Sequence, residues 1–171
     1  MAKGSCVCGD CTYQYDGEPV AVAVCHCRPC RKTAGSNGSV NSIMADAQVN
    51  IVKRPARRAS ALTDTQFKQL SGTDRTFTRK GDSTQVRPFC QTNSLGLFLI
   101  ADQDVTYHNC ATCGTIMWVE IAAAPGVKVV KTGTIDDQDA LNQAKPVQEI
   151  YCKDRPESFA ALLGVEHKDA A

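Results

Sequence analysis

The sequence has no long apolar run, and its charges nearly cancel. Its apolar stretches are short; residues 95–100, for example, are six residues long and include a glycine, which is far short of the roughly 18 residues that a membrane-spanning helix needs. Its 19 Lys and Arg residues against 18 Asp and Glu residues give a net charge of +1. This balance provides no electrostatic argument for nucleic acid or an anionic membrane, so neither partner is expected.

No secretory signal is expected at the N-terminus, because no apolar segment follows Lys3. We therefore expect a soluble, cytoplasmic protein whose thiols stay reduced. The sequence contains no internal repeat, coiled-coil pattern or low-complexity tract. With 43% hydrophobic and 22% charged residues in a chain of 171, the composition is that of one globular domain.

Cysteine, in contrast, is abundant and clustered. Seven of the ten cysteines fall within residues 6–9, 25–30 and 110–114. Thiolates two or three residues apart, with glycine after a cluster, are typical zinc ligands. Cysteine makes up about 6% of the chain, below the roughly 8–10% of disulfide scaffolds. Zinc binding is therefore predicted; disulfides and buried packing thiols are the alternatives.

The number of sulfurs in each cluster suggests two kinds of site. The first and last clusters each offer two sulfurs, and together they can close a tetrahedral zinc site. Cys6 and Cys8 are expected on an extended segment, where side chains two residues apart point to one face. The middle cluster offers only three, which leaves one metal position for water or substrate, as in catalytic zinc sites. In the rival interpretation His26 closes the middle site. His26 lies between two ligands, however, so we prefer a hydrogen-bonding or solvent-facing role for it.

Short β-branched and aromatic runs bounded by turn residues predict an open, antiparallel all-β fold with little helix. The predicted strands are residues 12–15, 20–24, 39–44, 48–52, 75–78, 116–121 and 127–130. Two short helices are predicted, at residues 28–34 and at residues 156–163, the latter with Pro156 in its first turn.

Basic residues flank the middle cluster. Arg28, Arg31 and Lys32 lie beside its cysteines, where cations favour the thiolate form and can attract an anionic substrate. A solvated basic face is the alternative interpretation. The small polar residues 35–39 either allow a substrate to approach closely or form an ordinary loop.

The clusters belong to a wider pattern formed by residues 4–9, 25–31, 35–36, 107–114 and 131–137. This pattern resembles the glutathione-dependent formaldehyde-activating enzyme (centromere protein V) family over about residues 4–52 and 106–160. The resemblance implies one zinc domain at residues 4–165 with the Mss4-like β-tent fold, antiparallel sheets held together by zinc, and two Zn²⁺ ions per chain. By position it implies a structural zinc on Cys6, Cys8, Cys110 and Cys113, and a catalytic zinc on Cys25, Cys27 and Cys30.

The resemblance further implies carbon–sulfur lyase activity like that of S-(hydroxymethyl)glutathione synthase. The enzyme would join or split a thiol such as glutathione and a small aldehyde or related adduct. A zinc with an open position can bind the thiol as thiolate or polarise the aldehyde oxygen, and we favour the first role because three cysteinates already neutralise much of its charge. No general base is assigned; His26 and His108 are candidates, with a structural role preferred for each. A zinc-stabilised binding module and a thiol-based redox or metal-buffering protein are the alternatives.

Two stretches, about residues 54–72 and 84–104, exceed the usual length of the family. We interpret them as surface insertions or translated introns, which sequencing of the mature transcript would distinguish. The basic residues 53–58 at the start of the first stretch are interpreted as a solvated loop rather than a nucleic-acid patch.

Three cysteines lie outside the clusters. Cys11 stands where the family usually has an apolar strand residue and is predicted to be a buried core thiol rather than an alternative ligand. Cys152 is assigned a packing role in a late strand. Cys90 lies within the second long stretch, and no role is assigned to it.

Overall fold

The computed structural model describes residues 1–45, 49–50, 68–71, 74–79 and 104–170. Within these ranges the strands are β1 (Ala2–Ser5), β2 (Thr12–Tyr15), β3 (Ala21–Cys25), β4 (Ser39–Ala45), β5 (Val49–Asn50), β6 (Lys68–Ser71), β7 (Asp74–Arg79), β8 (Val105–Cys110), β9 (Ile116–Ile121), β10 (Val127–Lys131), β11 (Gln148–Ile150) and β12 (Glu166–Lys168). The α-helices are α1 (Arg28–Ala34) and α2 (Gln138–Gln143). The predicted mainly β fold class is confirmed. Neither helix in these ranges has the length and apolarity that a membrane crossing requires.

The described strands form two sheets. In the smaller sheet β2 pairs with β1, β5 and β6; the larger has the order β12-β11-β3-β4-β10-β9-β8-β7. Side chains from both sheets meet in one core, including Tyr13 of β2 and Val22, Met44, Trp118 and Val130 of the larger sheet. This core covers one face of the larger sheet, and two smaller buried clusters, which include Ala23, Ile150, Val105 and Val119, lie on its other face.

The predicted antiparallel pairing is observed except at one edge of the larger sheet. β11 runs parallel to both β3 and β12, whereas the other strand pairs of the described sheets are antiparallel. Parallel neighbours need a long crossover connection, and β3 and β11 are separated by more than a hundred residues. Local turn signals in the sequence give no information about a pairing between such distant segments.

All seven predicted strands overlap strands of the structure, and the helix at residues 28–34 is confirmed. Pro29 lies at the start of α1, and Gly35 ends it in the left-handed region with φ of +59°, a conformation that glycine adopts without steric cost. Sequence analysis did not predict α2. Asp137 caps this helix, because its carboxylate accepts a hydrogen bond from the N–H of Ala140 at 2.8 Å.

The helix predicted at residues 156–163 is wrong. This segment consists of bends and turns, with one turn closed by the Phe159 N–H donating to the Pro156 carbonyl at 2.9 Å. The N–H of Leu162 donates instead to the buried carboxylate of Glu149 at 3.2 Å. A tertiary hydrogen bond thus replaces the local ones of a helix.

The two long stretches lie mostly outside the described residues. Residues 68–71, near the end of the first stretch, form β6 and pair with β2. Residues 54–67, the basic residues 53–58 and Cys90 lie outside the described part of the chain, as does nearly all of the second stretch. Both the single domain at residues 4–165 and the insertions stay predictions.

Gly4 provides a test of the packing between β1 and β2. It lies opposite Tyr13 in the strand register, and a Cβ there would lie well inside contact distance of the Tyr13 ring and the Thr134 carbonyl oxygen. Because Tyr13 is fully buried, Gly4→Ala is expected to lower the free energy of unfolding by about 1–3 kcal/mol. Denaturant titration measures this loss.

Gly133→Ala is the matched control, since a Cβ at Gly133 meets no atom within 4 Å. Its free energy of unfolding should stay within about 0.5 kcal/mol of that of the unmodified protein. Equal losses in the two variants would contradict the steric explanation.

Candidate metal centres

Four cysteine sulfurs converge where the turn after β1 meets the turn after β8. The sulfurs of Cys6, Cys8, Cys110 and Cys113 all lie within 4.8 Å of one another. Cys8 Sγ is 3.5 Å from Cys6 Sγ and 3.7 Å from Cys110 Sγ. Four thiolates around a zinc ion with bonds of about 2.3 Å would lie about 3.8 Å apart. This four-cysteine group therefore has the spacing of a closed tetrahedral metal site.

Two similar turns build this group. The Gly9 N–H donates to the Cys6 carbonyl, and the Gly114 N–H donates to the Cys110 carbonyl, each at 2.9 Å. Both glycines have φ of +77°, a left-handed conformation that favours glycine. The extended segment expected for Cys6 and Cys8 is not observed. Cys8 lies in a turn, and this turn brings the two sulfurs together.

Hydrogen bonds give the thiols of this group unequal acidity. The hydroxyl and backbone N–H of Thr115 lower the pKa of Cys113 to about 5. The backbone N–H of Asp10 acts to lower the pKa of Cys8, but desolvation and the three neighbouring sulfurs raise it by more, to about 12. A cation at the centre of the group would favour the thiolate form of every member.

Three further sulfurs converge at the end of β3. Cys25 is the last residue of that strand, Cys27 precedes α1, and Cys30 lies in its first turn. Their sulfurs also lie within 4.8 Å of one another, and Cys25 Sγ is 3.3 Å from Cys27 Sγ. No other His, Cys, Asp or Glu of the described ranges joins this three-cysteine group. Its donor set is therefore open on one side.

Crowding and burial disfavour three negative charges in this group. Contacts with the sulfurs of Cys27 and Cys30, together with burial, raise the pKa of Cys25 far above its usual value. The sulfur of Cys25 lowers the pKa of Cys27, but Cys30 and burial outweigh it and bring that pKa to about 11. A bound cation would relieve this repulsion, so the donor set fits a metal ion.

His26 is not a ligand in either group. Its side chain is completely buried, with Nδ1 3.0 Å from the Asn37 carbonyl oxygen and Nε2 3.0 Å from Glu149 Oε1. The rival closed site with His26 is therefore not formed, and the solvent-facing ring that we considered is wrong. The hydrogen-bonding role is the one observed.

Glu149 is a residue that the sequence analysis missed. Its carboxylate is fully buried and accepts hydrogen bonds from Arg155 Nη1 at 2.9 Å and from the Leu162 N–H at 3.2 Å, in addition to its contact with His26. His167 Nε2 lies 3.1 Å from the same carboxylate. Burial acts to raise the pKa of Glu149, but His26, the Leu162 N–H and Arg155 hold it below its ordinary value. This network holds the side chain of His26 in place, and His26 lies between Cys25 and Cys27 in the sequence.

The remaining described cysteines lie outside both groups. Cys11 is buried in the core, as predicted, and its N–H donates to Cys6 Sγ at 3.2 Å. The strand assignment of Cys152 is wrong, because Cys152 begins a short 3₁₀ turn after β11. None of the described cysteines is part of a disulfide bond, which would require sulfurs about 2.05 Å apart. The disulfide interpretation is therefore wrong for the described cysteines.

Two concave regions adjoin the three-cysteine group. Cys25, Cys27 and Cys30 line one end of a cavity of about 500 Å³ over the larger sheet. On the outer side of α1, Arg28, Arg31 and Lys32 line an open pocket of about 430 Å³ together with residues 35–37. The predicted basic face is thus a concave surface beside the cysteines.

Comparison with known protein families identifies the family of this chain. The family model described as glutathione-dependent formaldehyde-activating enzyme matches residues 1–63 and 95–154. The chain belongs to this family. All seven cysteines of the two groups lie within the matched ranges of the glutathione-dependent formaldehyde-activating enzyme model, and residues 64–94 fall outside them. No match was found among curated protein sequences.

Proposed function

We propose that the protein is a zinc-dependent carbon–sulfur lyase that joins or splits a thiol and a small aldehyde, with glutathione as the thiol. Cys25, Cys27 and Cys30 hold the catalytic zinc, and Cys6, Cys8, Cys110 and Cys113 hold the structural one. The observation that carries the proposal is the three-cysteine group, which has no fourth His, Cys, Asp or Glu among the described residues and lines a cavity. Thiolate sulfur is a preferred ligand of zinc, and family membership favours this chemistry.

A zinc ion held by Cys25, Cys27 and Cys30 would supply a Lewis-acid position that favours the thiolate form of an incoming thiol. The thiolate is the nucleophilic form, and its addition to an aldehyde forms one carbon–sulfur bond. The protein's own residues supply the binding surfaces on either side of this centre. Cys25 and Cys27 are buried, so the surrounding protein limits the access of water to the three-cysteine group.

The basic pocket suits the thiol substrate. Glutathione carries two carboxylates, and Arg28, Arg31 and Lys32 present three cations to the pocket beside α1. Guanidinium groups bind carboxylates through paired hydrogen bonds. Since Cys30 lies in the same helix as these cations, a thiol anchored here stays close to the three-cysteine group.

The test is adduct formation by the zinc-loaded protein with glutathione and a panel of aldehydes, measured against the uncatalysed rate. The metal content of the same sample is measured by mass spectrometry. Two zinc ions per chain and a rate above the spontaneous one are expected. The spontaneous control is essential because such adducts also form without a catalyst.

Metal content also separates the alternatives. One zinc per chain with no rate enhancement would contradict the lyase and favour a zinc-stabilised binding module. Labile metal with ready disulfide formation would favour a redox or metal-buffering protein. The cytoplasmic location and the absence of a nucleic-acid partner stay predictions.

A further inference from the structure

The cavity beside the three-cysteine group lies on one face of the larger sheet. Residues of alternate positions on neighbouring strands line it, because side chains two residues apart point to the same face. The face is aliphatic over most of its area. Its lining includes Ile43, Val105, Val119, Ile121, Val129 and Ile150.

A hydrogen-bonded polar group, formed by Lys131 with Ser39 and Asn41, interrupts this lining near the cysteines. Ser39 lies directly opposite Cys25 in the pairing of β3 with β4. Lys131 of β10 donates from Nζ to Ser39 Oγ at 3.0 Å and to Asn41 Oδ1 at 2.9 Å. Lys131 is the one Lys, Arg, His, Asp or Glu among the described residues that line the cavity. An ammonium has three N–H donors, so one stays available for a ligand oxygen.

We propose that the aldehyde substrate of this chain carries an apolar group that occupies the cavity, and that Lys131 donates a hydrogen bond to its carbonyl oxygen. This assignment rests on the proposed lyase function and specifies its second substrate. Formaldehyde has only two heavy atoms and needs no such space, whereas about 500 Å³ is typical of pockets for larger organic ligands.

The lining decides which substrate enters the cavity. The carboxylates and ammonium of glutathione would lose their hydration against the aliphatic wall, at a large cost, whereas the basic pocket on the outer side of α1 matches their charge. The cavity is therefore left to the carbonyl partner. An alkyl or aryl group gains affinity from the same aliphatic wall.

The addition step balances without an oxidant. The thiol loses its proton, and its sulfur forms a bond to the carbonyl carbon while the π electrons of the carbonyl move onto oxygen. That oxygen gains one proton to become the hydroxyl of the adduct. Lys131 would contact the oxygen on which negative charge develops, which is where a positioned donor assists most.

The first test compares formaldehyde, propanal, hexanal and octanal with the zinc-loaded protein and glutathione, each against its uncatalysed rate. We expect kcat/KM to rise about fourfold per methylene until the cavity is filled. Turnover of formaldehyde without any preference for longer chains would overturn the substrate assignment alone. Absence of turnover with every aldehyde would overturn the proposed function, and the substrate assignment with it.

Two substitutions examine the residues individually. Val129→Trp narrows the cavity and is expected to lower the ratio of octanal to formaldehyde kcat/KM about tenfold. The control Val40→Trp, at an exposed position on β4, should leave that ratio unchanged. An unchanged ratio in Val129→Trp would contradict the assignment of the cavity to the aldehyde. If this variant does not fold, the aldehyde series on the unmodified protein tests that assignment.

Lys131→Met removes the proposed donor and is expected to lower kcat about 100-fold with a smaller change in KM. Lys131→Arg should restore part of this loss, because it retains a cationic donor. Full kcat in the methionine variant would exclude contact between Lys131 and the reacting oxygen.

Discussion

Cys27→Ser is expected to abolish measurable turnover while leaving the fold intact. Cys27 contributes one of the three sulfurs of the open group, and a hydroxyl is a much poorer zinc ligand than a thiolate. Loss of a hydrogen-bond partner of a ligand typically costs 10–100-fold in affinity or activity, so loss of the ligand itself should cost at least about 100-fold. The four-cysteine group and the core between the sheets do not involve Cys27.

The measurement combines the lyase rate, the metal content and the circular dichroism spectrum of the variant. The metal content should fall from two zinc ions per chain to one, with an unchanged spectrum. Cys152→Ser is the matched control, since this partly exposed thiol lies outside both groups; it should retain activity and both ions. Full activity in Cys27→Ser would mean that the catalytic assignment is wrong.

Glu149→Ala is expected to destabilise the protein by about 3–5 kcal/mol, because removal of one member of a buried ion pair leaves its partners without compensation. Glu149 is fully buried and is hydrogen-bonded to His26, Arg155 and the Leu162 N–H. Denaturant unfolding of the zinc-loaded protein measures the change.

Glu166→Gln provides the comparison for a carboxylate at the surface. The ion pair of Glu166 with Lys168 has side chains that are 64% and 40% exposed, and exposed pairs contribute little because solvent screens them. A shift of at most about 0.5 kcal/mol is therefore expected. An unfolding midpoint in Glu149→Ala equal to that of the unmodified protein would show that the buried network is not stabilising.

The two cysteine groups are predictable from the sequence, because most of their geometry is local. Cys25, Cys27 and Cys30 lie within six residues of one another, so the turn that joins β3 to α1 alone brings their sulfurs together. Joining the clusters at residues 6–9 and 110–114 required only the count of tetrahedral ligands. The wrong detail there, an extended strand in place of a turn, did not change the ligand set.

The side chains that surround the three-cysteine group could not be predicted from the sequence. His26 and Glu149 are 123 positions apart, and only the parallel pairing of β11 with β3 brings them into contact. The same holds for Lys131 and Ser39, which are 92 positions apart. Local signals predict a helix at residues 156–163, but in the structure the N–H of Leu162 donates a hydrogen bond to the buried carboxylate of Glu149.

Sequence alone determined the ligand clusters, the mainly β fold class and the family resemblance, because each follows from residue spacing or from periodicity within a short segment. Only the tertiary structure decided which side chains surround the open cysteines, and that an aliphatic cavity with one lysine adjoins them. Strand order creates these contacts, and strand order depends on the burial of whole sheet faces rather than on neighbours along the chain.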